Sequence, residues 1–419
     1  MMQELPATVT IDHTGHLQRL PDTTYNRRRS IHLRIAREGD RHLVQAWGSV
    51  FPEDGAGSFR GWIHTDPRTL AGGVNDLRAA WQRAVIDFVQ PGSHPVRRPF
   101  VDGWDLAGPD DRAHLRHAGL TLARAGHTLF TLLFHNGDSG LKEIAVRLVE
   151  ALRSGEQVIT VESDHLFVPW GMLYFPACDD DNVWAPDYQW AARCFWGYQH
   201  LLEHNFSRVQ NFDSRMLTPD LPRVGLNVDE RVDADFPPTP CVRPVVDFFA
   251  TRAEVTVRNT KSDLAAALSS HDFDDDVLYF GCHGRAEGAE DSPHLVLSDD
   301  EKIYAGDFVA WLAGKGMPSR PVVFVGACQG GQLASMFYPT FGLHLLRNGA
   351  RCLIGPQVDL PRAFAGEYAV KLFTSFLANQ RLGDAVRDLA RSYLDDHHNP
   401  LGLIFSLYRG IDVHLERSA

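Results

Sequence analysis

The sequence predicts an α/β protein, a sheet of about six mostly parallel strands flanked by helices, with a small β-rich unit at its N-terminus. Two observations carry this reading. The wholly apolar runs Val277-Leu278-Tyr279-Phe280 and Val322-Val323-Phe324-Val325 have the look of strands buried on both faces, as in a covered parallel sheet. From about Pro222 onward such runs alternate with helical patterns, the order that lays helices over both faces of one sheet. The other runs of this half are Arg223 to Leu226, Glu254 to Val257, Cys352 to Ile354 and Leu403 to Leu407. Between them, Phe364, Tyr368, Leu372 and Phe376 fall on one helical face, and Val386, Leu389, Tyr393 and Leu394 on another. Asn348-Gly349 stops the helix that begins after Cys328, since glycine takes the left-handed cap conformation without penalty.

The first part of the chain reads differently. Ile31, Leu33 and Ile35 alternate with polar residues, a Glu-Gly-Asp turn follows, and Leu43 to Trp47 continue as the second strand of a hairpin. Helical spacing runs from about Leu70 to Val89 and is broken by Gln90-Pro91-Gly92. A boundary near there sets off residues 1–95 as an accessory unit. Residues 112–215 carry two helical patterns and a predicted strand pair, Val158 to Val161 with His165 to Val168, followed by Pro169-Trp170-Gly171-Met172-Leu173-Tyr174. Trp170 reads first as a packing anchor, because a Trp buries more area than any other side chain.

Composition excludes several classes of function. With 419 residues, 44% of them hydrophobic and 22% charged, the chain has the usage of a globular protein of two or three domains. No apolar run approaches the roughly 20 residues of a membrane helix, so no membrane association is expected. The formal net charge of −12 and the lack of a long Lys/Arg run argue against direct nucleic-acid binding, which draws its affinity from phosphate neutralisation. No basic region leads into an apolar stretch at Met1 to Pro6, and the six cysteines have no C-x-x-C spacing. A cytoplasmic protein with reduced thiols is expected.

The chemistry-bearing residues stand at two strand ends. The strand at 277–281 runs into Cys282-His283-Gly284, and the strand at 322–326 into Ala327-Cys328-Gln329-Gly330-Gly331. In an open α/β sheet the crevice at the carboxyl ends of the strands is where ligands and reactive groups gather. A thiol with a pKa near roughly 8.5 is mostly protonated at neutral pH and needs a neighbouring imidazole before it can attack a carbonyl. The glycines let backbone amides approach a developing oxyanion, and losing one such donor costs about 2.7–4 kcal/mol of transition-state stabilisation. His283 and Cys328 are therefore the expected catalytic pair.

The spacing matches a known pattern. Caspases carry Gln-Ala-Cys-(Arg/Gln/Gly)-Gly with a His about 50 residues upstream; here Gly326-Ala327-Cys328-Gln329-Gly330 departs only at its first position, and His283 lies 45 residues before Cys328. Around this pair the chain resembles the CHAT family of bacterial caspase-like proteases over roughly 112–412. Val168-Pro169-Trp170-Gly171-Met172-Leu173, Leu295 to Asp300 with Ile303 and Asp307-Phe308, and Gly349 to Gly355 with Val358-Asp359 carry the similarity. The helix ending near Leu382-Gly383-Asp384-Ala385-Val386 belongs to it as well.

The resemblance implies a caspase-like fold with 222–412 as its catalytic half, and a cysteine endopeptidase acting through a thioester. His283 would be base and then acid, Cys328 nucleophile, and the amides of Gly284 and Cys328 the oxyanion donors. Two departures stand out. Gly171 replaces the Glu that usually follows the family's proline-tryptophan, and Gly326 replaces the Gln that lines the acid-binding pocket of caspases. Strict cleavage after Asp is thus not implied. Asp359 and Glu367 are the candidate pocket carboxylates, with Gly326, and no third side chain presents itself as an orienter. The resemblance further implies a protein substrate, pore-forming or regulatory, and an activating partner or signal in bacterial defence. A catalytically inactive scaffold that binds a partner through the same cleft is the other reading. No cofactor is expected, and no metal: His13 and His16, and His397-His398, lack a third convergent ligand. Cys282 reads as a core thiol pointing away from His283, and Gly55 to Gly61 lacks the Lys of a phosphate loop.

Overall fold

The computed structural model describes residues 26–51, 59–106, 108, 111–176, 183–185, 187–206, 214–218, 221–235, 237–285, 292–326 and 338–417. Cys328, Gly330, Gly331, His13, His16 and residues 55–58 lie outside the described residues. Sixteen strands are described: β1 (Ile31–Glu38), β2 (Arg41–Trp47), β3 (Phe59–Ile63), β4 (Val158–Glu162), β5 (Leu201–Asn205), β6 (Arg215–Thr218), β7 (Arg223–Val228), β8 (Glu254–Arg258), β9 (Val277–Gly281), β10 (His283–Arg285), β11 (His294–Val296), β12 (Lys302–Tyr304), β13 (Val322–Val325), β14 (Cys352–Pro356), β15 (Phe405–Tyr408) and β16 (His414–Arg417).

Eleven of them form one sheet in the order β3-β2-β1-β4-β5-β15-β14-β13-β9-β7-β8. The pairings are parallel except for the hairpin pairs β1–β2 and β2–β3 and the pair β14–β15. The α/β class holds, with more strands than the six expected from the second half. The surplus comes from the first half, because β1 pairs in parallel with β4 from Ile31↔Ile159 to Arg34↔Glu162 and so carries the N-terminal hairpin into the same sheet. A hairpin with one apolar face has a free edge to satisfy, and adding to an existing sheet satisfies it.

The apolar strands sort their side chains by alternation. Val277, Tyr279, Val322, Phe324, Cys352 and Ile354 pack on one face, against helices Arg243–Ala250, Arg362–Leu377 and Leu382–Asp395. Leu278, Phe280, Val323, Val325 and Leu353 pack on the other, against Lys261–Leu268, Ala305–Trp311 and Leu343–Arg347. The helix Arg362–Leu377 turns Phe364, Tyr368, Leu372 and Phe376 inward, as the i, i+4 spacing predicts, and all four are fully buried. Tyr368 stacks on Phe405 at 3.7 Å between centroids, and Phe324 lies among Tyr279, Phe373 and Phe405. Each such side chain contributes about 1.5–3 kcal/mol by leaving water.

One expected strand is absent. His165 to Val168 does not pair with β4, whose partners are β1 on one side and, on the other, β5, in parallel from Val158↔Leu201 to Glu162↔Asn205. Ser163 redirects the chain instead: its Oγ accepts from the amides of His165 and Leu166 at 3.4 and 3.1 Å, a local bond that competes with a strand ladder.

The segment that follows explains Trp170 and Gly171. Trp170 is buried against Trp196, and its Nε1–H donates to His204 Nδ1 at 3.3 Å. An indole can only donate, so the proton of His204 sits on Nε2, which donates to Ser163 O at 2.9 Å. Gly171 crosses Gly197 closely: a Cβ on Gly171 would lie 3.1 Å from Leu403 O and 3.5 Å from Gly197 Cα. That crossing leaves little room for a side chain at this position.

Burial holds two histidines neutral. The pKa of His204 is pushed down to about 4, and that of His200, which accepts from Gln157 N at 3.1 Å, down to about 3. The unfolded chain protonates both near roughly pH 6.5 while the folded chain does not, so their contribution is complete above that pH and is lost on descent toward the folded values. Urea unfolding measured from neutral pH down to about pH 4.5 is expected to show stability falling by up to about 1.4 kcal/mol per pH unit for each residue. A flat profile would contradict this account of the Trp170 region.

Candidate active site

The site grows from strands that end together. β7, β9 and β13 run in parallel, with Val224 and Val322 both opposite Val277, so their carboxyl ends reach the same edge of the sheet. The backbone ladder continues one residue past each outer strand: Asp229 N–H donates to Gly281 O at 2.9 Å, and Gly326 N–H donates to Phe280 O at 2.8 Å. Asp229, His283 and Gly326 are thus held on neighbouring strand ends by main-chain bonds alone.

His283 opens β10, which leaves the main sheet to form the three-stranded antiparallel sheet β10-β11-β12 with the pairs His283↔Val296 and Leu295↔Ile303. Cys282 points into the core and is buried, as strand alternation requires. Gly326 closes β13, and a Cβ there would come within 3.3 Å of Phe280 O, the Phe324 ring and Tyr279 Oη. The thiol of Cys328, two residues further in sequence, lies outside the described residues.

The sequence reading missed a carboxylate. Asp229 is fully buried, with Oδ2 3.9 Å from His283 Nε2. It accepts from Arg231 through the backbone N–H (3.1 Å), Nε (2.9 Å) and Nη2 (2.9 Å), and from Ser298 Oγ at 3.3 Å. Arg231 continues to Asp300 Oδ2 at 2.6 Å and Leu297 O at 2.8 Å. A signal was present, because Asp229 lies three residues past the predicted strand at Arg223 to Leu226 and directly after the observed β7, near a strand end as His283 is. A lone acid after a strand differs little from a loop residue until the sheet order makes that strand the neighbour of β9.

The pocket carboxylates have partners within the chain. Asp359 follows β14, and its Oδ2 accepts from Gln82 Nε2 at 3.1 Å. Beside it the buried Gln357 accepts from Arg78 Nη2 at 2.8 Å and donates to Tyr408 Oη at 3.1 Å. The helix Pro67–Trp81 and the turn after it therefore grip the loop that leads from β14 into the helix Arg362–Leu377. Glu367 pairs with Lys371 at 3.3 Å, and that ammonium lies over the rings of Trp104 and Tyr393.

Partial burial of His283 pushes its pKa below the ordinary imidazole value; Asp229 opposes this, while Arg285, Arg362 and Arg231 add to it. The neutral ring, which can accept a proton, is the form favoured at neutral pH. His283 Nδ1 is buried and has no hydrogen-bond partner among the described residues. A half-buried neutral imidazole with one nitrogen toward a carboxylate and the other without a partner among the described residues is equipped for proton transfer. Replacing Arg231 with Ala removes one opposing cation and unburdens Asp229, so the His283 pKa is expected to rise in an NMR titration. A fall would show that the carboxylate does not act on the ring.

Residues 228–409 match the model of the CHAT domain. The chain is 24% identical over 250 residues to a "Probable protease" of Vitiosangium sp. (strain GDMCC 1.1324), a match that takes in 54% of this chain and 30% of the relative's length. Among solved structures, the Saccharomyces cerevisiae separase–securin complex aligns at a TM-score of 0.43 and 8% identity, covering 92% of this chain and 30% of that one. Gingipain R, an Arg-specific cysteine proteinase, aligns at a TM-score of 0.39 and 11% identity, covering 66% of this chain and 69% of that one. No described helix is long and apolar enough to cross a membrane.

Proposed function

We propose that this chain, whose residues 228–409 match the CHAT domain, is a cysteine endopeptidase with Cys328 as nucleophile and His283 as its base. The observation that carries the reading is the pairing of adjacent parallel strands β9 and β13. One delivers a half-buried, neutral imidazole, and the other ends at Gly326, from which Ala327-Cys328-Gln329-Gly330-Gly331 follows in sequence. A thiol near a neutral imidazole can lose its proton to it at the moment of attack, which a solitary thiol at neutral pH does poorly.

In this reading the thiol proton passes to His283 as sulfur bonds to the scissile carbonyl carbon, and the carbonyl electron pair moves onto oxygen. The amides of Gly284 and Cys328 receive that oxyanion. On collapse the C–N bond breaks, the imidazolium protonates the departing amine, and a thioester remains. Water, deprotonated by the same ring, then releases the acid and the thiol. The substrate would be a polypeptide held along the strand ends, with Gly326, Asp359 and Glu367 as pocket residues. The family resemblance alone supports the narrower picture of a cytoplasmic enzyme of bacterial defence, gated by a protein partner or signal and acting on a pore-forming or regulatory protein.

The test is selective labelling by a peptide electrophile. Cys328 is expected to react at least about a hundredfold faster than in His283→Ala, a typical general-base contribution, and Cys328→Ala is expected to keep the melting temperature and abolish cleavage. A Cys328 as slow as the buried thiols of Cys194, Cys241 and Cys352 would replace the peptidase with a binding scaffold.

A further inference from the structure

We infer that Asp229 is the positioning residue of this site, fixing His283 as the Nε2–H tautomer so that Nδ1 is the nitrogen that takes the thiol proton. The inference rests on the cysteine–histidine reading above and adds a third group to it. Neither the sequence pattern nor the family match assigns Asp229 a role.

The first support is the way Asp229 is held. Its main chain is bonded to Gly281 O, two residues before His283, and its side chain is fully enclosed. Three donors from Arg231 and one from Ser298 fix both carboxylate oxygens, so the charge has a set direction. A buried carboxylate that is saturated with donors keeps its rotamer and the direction of its oxygens.

The second support is the unlike surroundings of the two ring nitrogens. Nε2 lies 3.9 Å from Asp229 Oδ2, an oxygen that can only accept, and Nδ1 is buried without a partner among the described residues. A neutral imidazole has one N–H to place. On Nε2 it faces the acceptor and leaves the Nδ1 lone pair for the thiol. On Nδ1 it would be buried unpaired, and the Nε2 lone pair would face the carboxylate. Hydrogen bonding and charge both select the first arrangement. The 3.9 Å gap exceeds a hydrogen bond by about 1 Å, a looseness common before substrate binds.

The third support is the field that the imidazolium must survive in. Arg231 beyond Asp229, Arg285 on the ring's own strand and Arg362 at the start of the helix Arg362–Leu377 all disfavour a charged ring. Asp300 offsets part of Arg231 from the far side, through the 2.6 Å bond. Asp229 is the carboxylate that stabilises the imidazolium directly, and without it the proton-carrying intermediate would stand among three guanidiniums.

In the proton bookkeeping, Cys328 S–H breaks as Nδ1–H forms, Nε2 keeps its proton throughout, and Nδ1 hands the acquired proton to the leaving amine. Asp229 exchanges none and touches no substrate atom.

The experiment compares the native protein with Asp229→Asn, and reads the His283 tautomer by nitrogen-15 NMR in a Cys328→Ala background. In that background the native Asp229 is expected to give a protonated Nε2, and Asp229→Asn to move the proton to Nδ1, because the amide can donate toward Nε2. With Cys328 present, Asp229→Asn is expected to slow labelling by a peptide electrophile at least about tenfold, to lower the pH at which the imidazole titrates, and to leave the melting temperature within a few degrees. A protonated Nδ1 in the Asp229-containing protein overturns the assignment even if Asp229→Asn does not fold. Native-rate labelling by a folded Asp229→Asn overturns it as well, as does a slowing that only tracks the unfolded fraction. If Cys328 of the unaltered protein reacts no faster than in His283→Ala, the dyad itself falls and this assignment with it; enhancement that survives Asp229→Asn sinks the assignment alone.

Discussion

Everything distinctive in this molecule depends on the parallel register of β7, β9 and β13. Parallel neighbours end on the same edge, and the two bonds that extend the ladder, Asp229 N–H to Gly281 O and Gly326 N–H to Phe280 O, carry the chain past each strand end without loosening it. Were any of the three antiparallel, its terminal residue would emerge at the opposite side of the sheet. The apolar composition of β9 and β13 maintains this register, because both faces are covered and slippage by one residue would exchange the Tyr279/Phe324 layer for the Phe280/Val325 layer.

The support around that edge extends into the N-terminal part of the chain. The hairpin β1–β2 joins the sheet through β4, and Arg78 and Gln82 reach Gln357 and Asp359 beyond β14. Arg29 adds a second tie, with Nη2 2.9 Å from Glu203 Oε1 on β5 and Nη1 paired to Asp412. Buried charges of this kind contribute little when intact and cost about 3–5 kcal/mol when one partner is lost, so they act more as constraints on geometry than as reserves of stability. The first hundred residues thus bear on the loop beside the site through direct hydrogen bonds.

Much of this was legible in the residues. The central strands announced themselves because a strand covered on both faces must be apolar throughout, and the strand-end rule then picked out His283 together with Cys328, which lies outside the described residues. The helical stripe at Phe364, Tyr368, Leu372 and Phe376 was equally plain. Less visible were features that depend on sheet order. Asp229 stands beside His283 only because β7 is the neighbour of β9, and β1 extends the main sheet only because β4 offers it an edge. The supposed strand at His165 to Val168 failed for a local reason, the Ser163 hydroxyl taking two amides that a ladder would need. The glycine at position 171, whose reason does not show in the sequence, is accounted for by its crossing with Gly197 and Leu403.

The central claim, that one crevice gathers the groups at the ends of β7, β9 and β13, is tested most directly by a crystal structure of the protein treated with a peptide aldehyde. The account predicts a bond from Cys328 Sγ to the aldehyde carbon, with His283 Nδ1 within about 4 Å of that sulfur and Nε2 drawn toward Asp229. A sulfur facing another layer of the sheet, more than about 8 Å from the imidazole with the aldehyde unbound, would contradict it.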